Sequence, residues 1–135
     1  MKNFLVIEDN GDDALLINRA FAMTESCHAV VCRSLGEAKA YLQGAGVYTD
    51  REKYPVPNAV ISDLRLGFDS AIDFLRWIRA SEELRLMPVI VISGTASTHE
   101  GALAKELGAL EVLRKPARYE ELKWMVQDMV TKLCG

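Results

Sequence analysis

Phe4-Leu5-Val6-Ile7-Glu8-Asp9 is the stretch that decides the fold. Four apolar residues are too few for a helix, and their strand-forming character fits a strand buried on both faces. Two acids end the run. The same pattern recurs along the chain. Ala29-Val30-Val31-Cys32 is a second strand, and Ala59-Val60-Ile61 is a third, ending at Ser62-Asp63. Val89-Ile90-Val91-Ile92 is a fourth, followed by Ser93, and the stretch from Leu110 to Leu113 is a fifth, followed by Arg114 and Lys115.

Between these runs the apolar period changes to that of a helix. Leu16, Ile17, Ala20 and Phe21 form one stripe, with Asp12 or Asp13 as its cap. Ser34 and Glu37 have capping-box spacing ahead of Leu35, Ala38, Tyr41 and Leu42. Ser70 caps a stripe of Ala71, Phe74, Leu75 and Ile78. Ser97 and Glu100 repeat the capping box before Leu103 and Leu107, and Gly108 suits the end of that helix. The last stripe, Leu122, Met125, Val126, Met129, Val130 and Leu133, is the clearest. Gly44 to Pro57 breaks the rhythm. It holds Gly44, Gly46, Pro55, Pro57 and four charged residues, Asp50, Arg51, Glu52 and Lys53, and reads as a polar surface loop.

Five strand-then-helix units predict an α/β fold, a doubly wound (βα)5 sandwich with helices on both faces of a parallel sheet. The flavodoxin-like order 2-1-3-4-5 is the commonest for five units. The 135 residues are one domain's length, so residues 1–135 are taken as one domain. Half of the residues are hydrophobic and 26% are charged, a globular composition. Sixteen basic against nineteen acidic residues give a net charge of -3, which argues against direct nucleic-acid binding. No apolar run approaches the about 18 residues of a membrane span, and the N-terminus does not read as a signal peptide. Cys27, Cys32 and Cys134 have no CxxC spacing and fit free thiols in a reduced cytoplasmic protein.

In an open parallel sheet, ligands sit beyond the carboxyl ends of the strands, where strand order reverses. That edge receives Glu8 and Asp9 from the first strand, Asp63 from the third, Ser93 from the fourth and Lys115 from the fifth. Three acids packed together repel unless a cation separates them, and hard oxygen ligands suit Mg2+ or Mn2+. Such a cation also neutralises phosphoryl oxygens, with Lys115 and the Ser93 hydroxyl as further donors. Asp63 is then a candidate nucleophile, because carboxylates form aspartyl-phosphates. Other chemistries lack their motifs. There is no GxxxxGK[ST] loop, no GxGxxG, no HExxH and no GxSxG elbow. His28 and His99 read as surface or strand-edge residues.

The chain resembles the receiver domain of two-component response regulators over essentially its whole length. The resemblance rests on Phe4-Leu5-Val6-Ile7-Glu8-Asp9-Asn10, Pro57-Asn58-Ala59-Val60-Ile61-Ser62-Asp63-Leu64, Met87-Pro88-Val89-Ile90-Val91-Ile92-Ser93-Gly94 and Leu113-Arg114-Lys115-Pro116. It implies that Asp63 is the phosphoacceptor and that Glu8 and Asp9 are the acidic pair holding Mg2+. It implies further that the backbone carbonyl of Arg65 is the third protein ligand, Ser93 the switch hydroxyl and Lys115 the contact to the phosphoryl group. The implied partners are a histidine kinase or a histidine phosphotransfer protein, with a homodimer as a further assembly to test. Ala40-Tyr41-Leu42-Gln43-Gly44 and the long loop to Pro57 are similar to single-domain receivers that partner phytochrome-type kinases.

Three positions depart from the family pattern. Val112 stands where many receivers carry an aromatic. Leu66-Gly67-Phe68-Asp69-Ser70-Ala71 differs from the usual loop after the phosphoacceptor. Ala117 follows Lys115-Pro116, with Tyr119 nearby. Two other readings compete. A Mg-dependent phosphohydrolase with an aspartyl-phosphate intermediate of the haloacid-dehalogenase type needs DxD, and position 65 is Arg. A pseudo-receiver binding module has no need of the complete acid, hydroxyl and lysine set.

Overall fold

The computed structural model describes residues 2–94 and 98–134, and all of their side chains except Thr98 and Cys134. Strands β1 (Lys2–Ile7), β2 (Cys27–Cys32), β3 (Ala59–Asp63), β6 (Val89–Ser93) and β7 (Glu111–Arg114) form one parallel sheet in the order β2-β1-β3-β6-β7. This is the expected 2-1-3-4-5 order for the large sheet. The remaining strands, β4 (Arg65–Leu66) and β5 (Asp69–Ser70), form a small antiparallel hairpin just after Asp63. The helices are α1 (Gly11–Ala22), α2 (Leu35–Gln43), α3 (Ala71–Arg79), α4 (Thr98–Glu106) and α5 (Tyr119–Cys134).

The unbroken apolar runs follow from burial on both faces. Leu5, Ile7, Val60, Val89 and Val91 pack toward α2, α3 and α4. Phe4, Val6, Ala59, Ile61, Ile90 and Ile92 pack toward α1 and α5. Successive side chains in a strand point to opposite faces, so one run fills two cores. Each fully buried Ile or Leu contributes about 1.5–3 kcal/mol of burial free energy.

The structure amends several sequence-based expectations. Neither Asp12 nor Asp13 caps α1. The cap is Asn10, whose Oδ1 accepts from the Asp13 N–H at 3.0 Å. Ser34 does cap α2, accepting from the Glu37 N–H at 3.1 Å. Ser70 occupies the cap position of α3 but its side chain makes no capping bond. The Ser97–Glu100 capping box falls on Ser97, which lies outside the described residues. β7 begins one residue later than expected and ends at Arg114.

Gly108 ends α4 as expected, with φ +91. A Cβ there would lie 2.8 Å from Arg79 Nε. The Arg79 guanidinium donates to the carbonyls of Leu107, Arg85, Met87 and Gly108, joining the end of α3 to the end of α4 and the approach to β6.

The loop from 44 to 57 is more than a polar excursion. It contains a short 3-10 turn, Gly46–Tyr48. The rings of Tyr48 and Tyr54 lie 5.0 Å apart and both contact Tyr41 on α2. Tyr41 Oη donates to the Pro55 carbonyl at 2.8 Å, and Arg51 donates to the carbonyls of Leu42 and Tyr54. These contacts hold the loop against the α2 side of the core.

Candidate functional site

Strand register brings the expected residues to one edge. Ile7 pairs with Cys32 and with Ser62, Asp63 with Ile92, and Ser93 with Arg114. The strands therefore end almost level. Backbone bonds extend the register past the sheet. The Glu8 N–H donates to the Cys32 carbonyl at 2.9 Å, the Leu64 N–H to Ile92 at 2.8 Å and the Lys115 N–H to Ser93 at 2.8 Å. The side chains of Glu8, Asp63 and Lys115 are thus held on rigid backbone.

Carboxylate oxygens of Glu8, Asp9 and Asp63 all lie within 4.8 Å of one another. Glu8 is buried at 3% exposure, Asp63 is half-buried and Asp9 is exposed. The set therefore opens to solvent on the Asp9 side. Lys115 Nζ lies opposite. It forms ion pairs with Glu8, with Asp13 at 2.9 Å, and with Asp63, both of whose oxygens are at 3.5 Å.

Electrostatics follow from this crowding. Burial, then the adjacent Glu8 carboxylate, push the Asp63 carboxyl up to about 7, against the opposing pull of Lys115. For Lys115, burial disfavours the charge, but Glu8, Asp13 and Asp63 outweigh it and raise its pKa. An all-oxygen donor set with clustered negative charge fits a hard divalent cation.

Ser93 ends β6 beside this cluster and is buried at 7% exposure. Gly94 is exposed, and a Cβ on it would meet nothing within 4 Å. The side chain of Arg65 is exposed and pairs with Glu100 of α4. Its backbone lies in the β4–β5 hairpin, paired with Ser70. That hairpin turns through Gly67, at φ +67, and the fully exposed Phe68. A two-residue hairpin turn of this kind needs a positive φ, which glycine supplies without strain. The unusual sequence after Asp63 therefore builds a defined hairpin. Val112 is half-buried on β7 and faces α4, where a Cβ on Gly101 would come 3.6 Å from its Cγ1.

Asp13, by sequence a candidate cap of α1 and no more, is also a site residue: its carboxylate accepts from Lys115 Nζ across 102 positions of sequence. A signal was present. Asp13 lies three and four residues before Leu16 and Ile17, so it continues the inward stripe of α1 toward the sheet edge. Beneath the site, a small cavity of about 70 Å3 is lined by Glu8, Asp13, Asp63, Lys115, Leu16 and Leu122 among others.

A family model described as the response regulator receiver domain matches residues 4–127. The chain is 30% identical over 125 residues to the probable methanogenesis regulatory protein FilR2 of Methanothrix harundinacea, covering 93% of this chain and 79% of that protein. It is 28% identical to response regulator Rcp1 of Synechocystis sp., covering 95% of this chain and 86% of Rcp1. A crystal structure of the Mn(2+)-bound form of Rcp1 superposes with a TM-score of 0.83 at 26% identity, covering 97% of this chain and 93% of that one. The phosphorylated cyanobacterial phytochrome response regulator RcpA superposes with a TM-score of 0.88 at 25% identity, covering 99% and 94%. Among the described residues, no helix is long and apolar enough to cross a membrane. The fold, the acidic cluster at the strand ends and the family match over nearly the whole chain converge, and the chain belongs to the response regulator receiver domains, the phosphoacceptor modules of two-component signalling.

Proposed function

We propose that Asp63 is the phosphoacceptor and that residues 1–135 act as one cytoplasmic receiver domain. The observation that supports this most is the grouping of Glu8, Asp9 and Asp63 with Lys115 Nζ at 3.5 Å from both Asp63 oxygens. The donor is a phosphohistidine on a histidine kinase or a histidine phosphotransfer protein. The likeness to phytochrome response regulators makes a phytochrome-type kinase the first donor to test.

An ionised Asp63 oxygen attacks the phosphorus in line. The phosphorus–nitrogen bond to the donor imidazole breaks, and its electron pair leaves on that nitrogen. The Lys115 ammonium donates to the transferred group, and the Ser93 hydroxyl supplies a further hydrogen bond. Glu8, Asp9, Asp63 and the Arg65 backbone carbonyl would hold Mg2+, or Mn2+ in its place, which when bound neutralises phosphoryl oxygen charge. The protein acts as a stoichiometric acceptor and not as a multiple-turnover phosphohydrolase.

Incubation with acetyl phosphate and Mg2+ tests the reading. One phosphoryl group per chain is expected, absent in Asp63→Asn and absent with a chelator. Undiminished labelling of Asp63→Asn would place the nucleophile elsewhere. Sustained turnover of p-nitrophenyl phosphate would favour the hydrolase.

A further inference from the structure

We propose that Asp13 is a positioning residue that tethers Lys115 in the resting site and must release it when the phosphoryl group arrives. The inference deepens the phosphoacceptor reading of Asp63 and rests on it.

Lys115 Nζ has three protons to donate. In the resting arrangement it is committed to Glu8 and to Asp13, the latter at 2.9 Å, a full charge-assisted bond. Both Asp63 oxygens, at 3.5 Å, sit at the outer limit of hydrogen bonding. The ammonium is thus held toward α1 and short of the nucleophile. A group transferred to Asp63 draws Nζ away from α1 and so competes with Asp13 for it.

Asp13 suits the role of tether for three reasons. Its backbone is fixed by the Asn10 cap. Its carboxylate lies in the first turn of α1, where the helix dipole favours negative charge. It also stands outside the carboxylate group of Glu8, Asp9 and Asp63 that fits a cation. A cation held there shares the charge of Glu8 and Asp63 but leaves Asp13 its full claim on Lys115. The Asp13 side chain is 40% exposed, so the tether is weak enough to break.

Beryllofluoride with Mg2+, titrated into the full chain and followed by amide chemical shifts, reads the release. Asp13→Asn is expected to bind about two- to fivefold more tightly than wild type, the range of a partly exposed ion pair. Asp13→Glu should keep the wild-type affinity by restoring the pair. Asp12→Asn removes the same charge one position away, from an exposed residue with no contact to Lys115, and should leave the affinity unchanged. The Lys115 15Nζ resonance should move in Asp13→Asn and stay in place in Asp12→Asn. Equal tightening in both Asn variants would reduce the effect to general charge and overturn the tether. So would unchanged or weaker binding in Asp13→Asn. If Asp63→Asn bound beryllofluoride as wild type does, the phosphoacceptor reading would fall and this inference with it. If binding required Asp63 but ignored Asp13, only the tether would fall.

Discussion

Replacing Asp63 with Asn should stabilise the protein in the absence of divalent metal. Asp63 is held among Glu8, Asp9 and the sheet, and its carboxyl is pushed up to about 7 by burial and then by Glu8. A carboxyl that titrates near 7 rather than near 3.8 carries a penalty of about 4 kcal/mol once ionised, at about 1.4 kcal/mol per pH decade. Water reaching the open Asp9 side reduces this, and about 2 kcal/mol is expected in practice. Between pH 3.8 and about 7 the folded protein keeps a proton that the unfolded chain has already lost. Stability attributable to this group therefore falls as pH rises through that window and stays low above it. Asn has no such proton. The advantage of Asp63→Asn should be close to zero near pH 4 and full near pH 8. For a domain of this size it should raise Tm by roughly 4 °C per kcal/mol. Added Mg2+ should stabilise wild type by mass action and narrow the gap. Thermal and urea unfolding at pH 5 and pH 8, with and without Mg2+, measure all of this. Equal stability of the two proteins at pH 8 without metal would refute the reasoning, as would a gap that does not change with pH.

Other outcomes follow from the same geometry. Asp9→Asn should weaken Mg2+ binding by about tenfold or more, since one anionic ligand is lost; calorimetric titration would show it, and unchanged affinity would remove Asp9 from the site. Ser93→Ala should still accept phosphate but lose much of the amide-shift response to beryllofluoride, because a hydrogen bond to a charged acceptor is worth about 1.5–3 kcal/mol. Val112→Ala should change that response less, and the opposite ranking would show that coupling runs through β7 and α4. Gly108→Ala should destabilise by about 1–3 kcal/mol, since it strains a positive φ and drives a Cβ toward Arg79 Nε; denaturant midpoints test it. The Cys32 thiol, pushed up to about 12 chiefly by burial, should resist Ellman's reagent at pH 8 until the protein unfolds.

The strand runs and helical stripes, read alone, determined the five-unit parallel α/β architecture, with 2-1-3-4-5 as the commonest order, and the edge at which chemistry gathers. The physical reason is that periodicity reports burial directly. A run such as Val89-Ile90-Val91-Ile92 can only be satisfied between two helical layers, and the right-handed crossover leaves few orders for five such runs. Once that order was fixed, Glu8, Asp9, Asp63, Ser93 and Lys115 had to end near one another. The tertiary structure decided what depends on side-chain reach and on local turn geometry. Asp13 looked like a helix cap, and only the tertiary fold, which packs α1 against α5 and β2, brought its carboxylate to Lys115. The loop from 44 to 57 looked polar by composition, because its order comes from rings and one guanidinium meeting Tyr41 rather than from any periodic pattern. Gly67 and Phe68 were visible as a departure, but a two-residue hairpin is specified by φ angles and pairing, which the chain acquires only when β3 and α3 fix its ends. The rise in the Asp63 pKa has the same origin. Charge crowding depends on distances of a few ångströms between residues 55 positions apart, and sequence spacing carries no such distance.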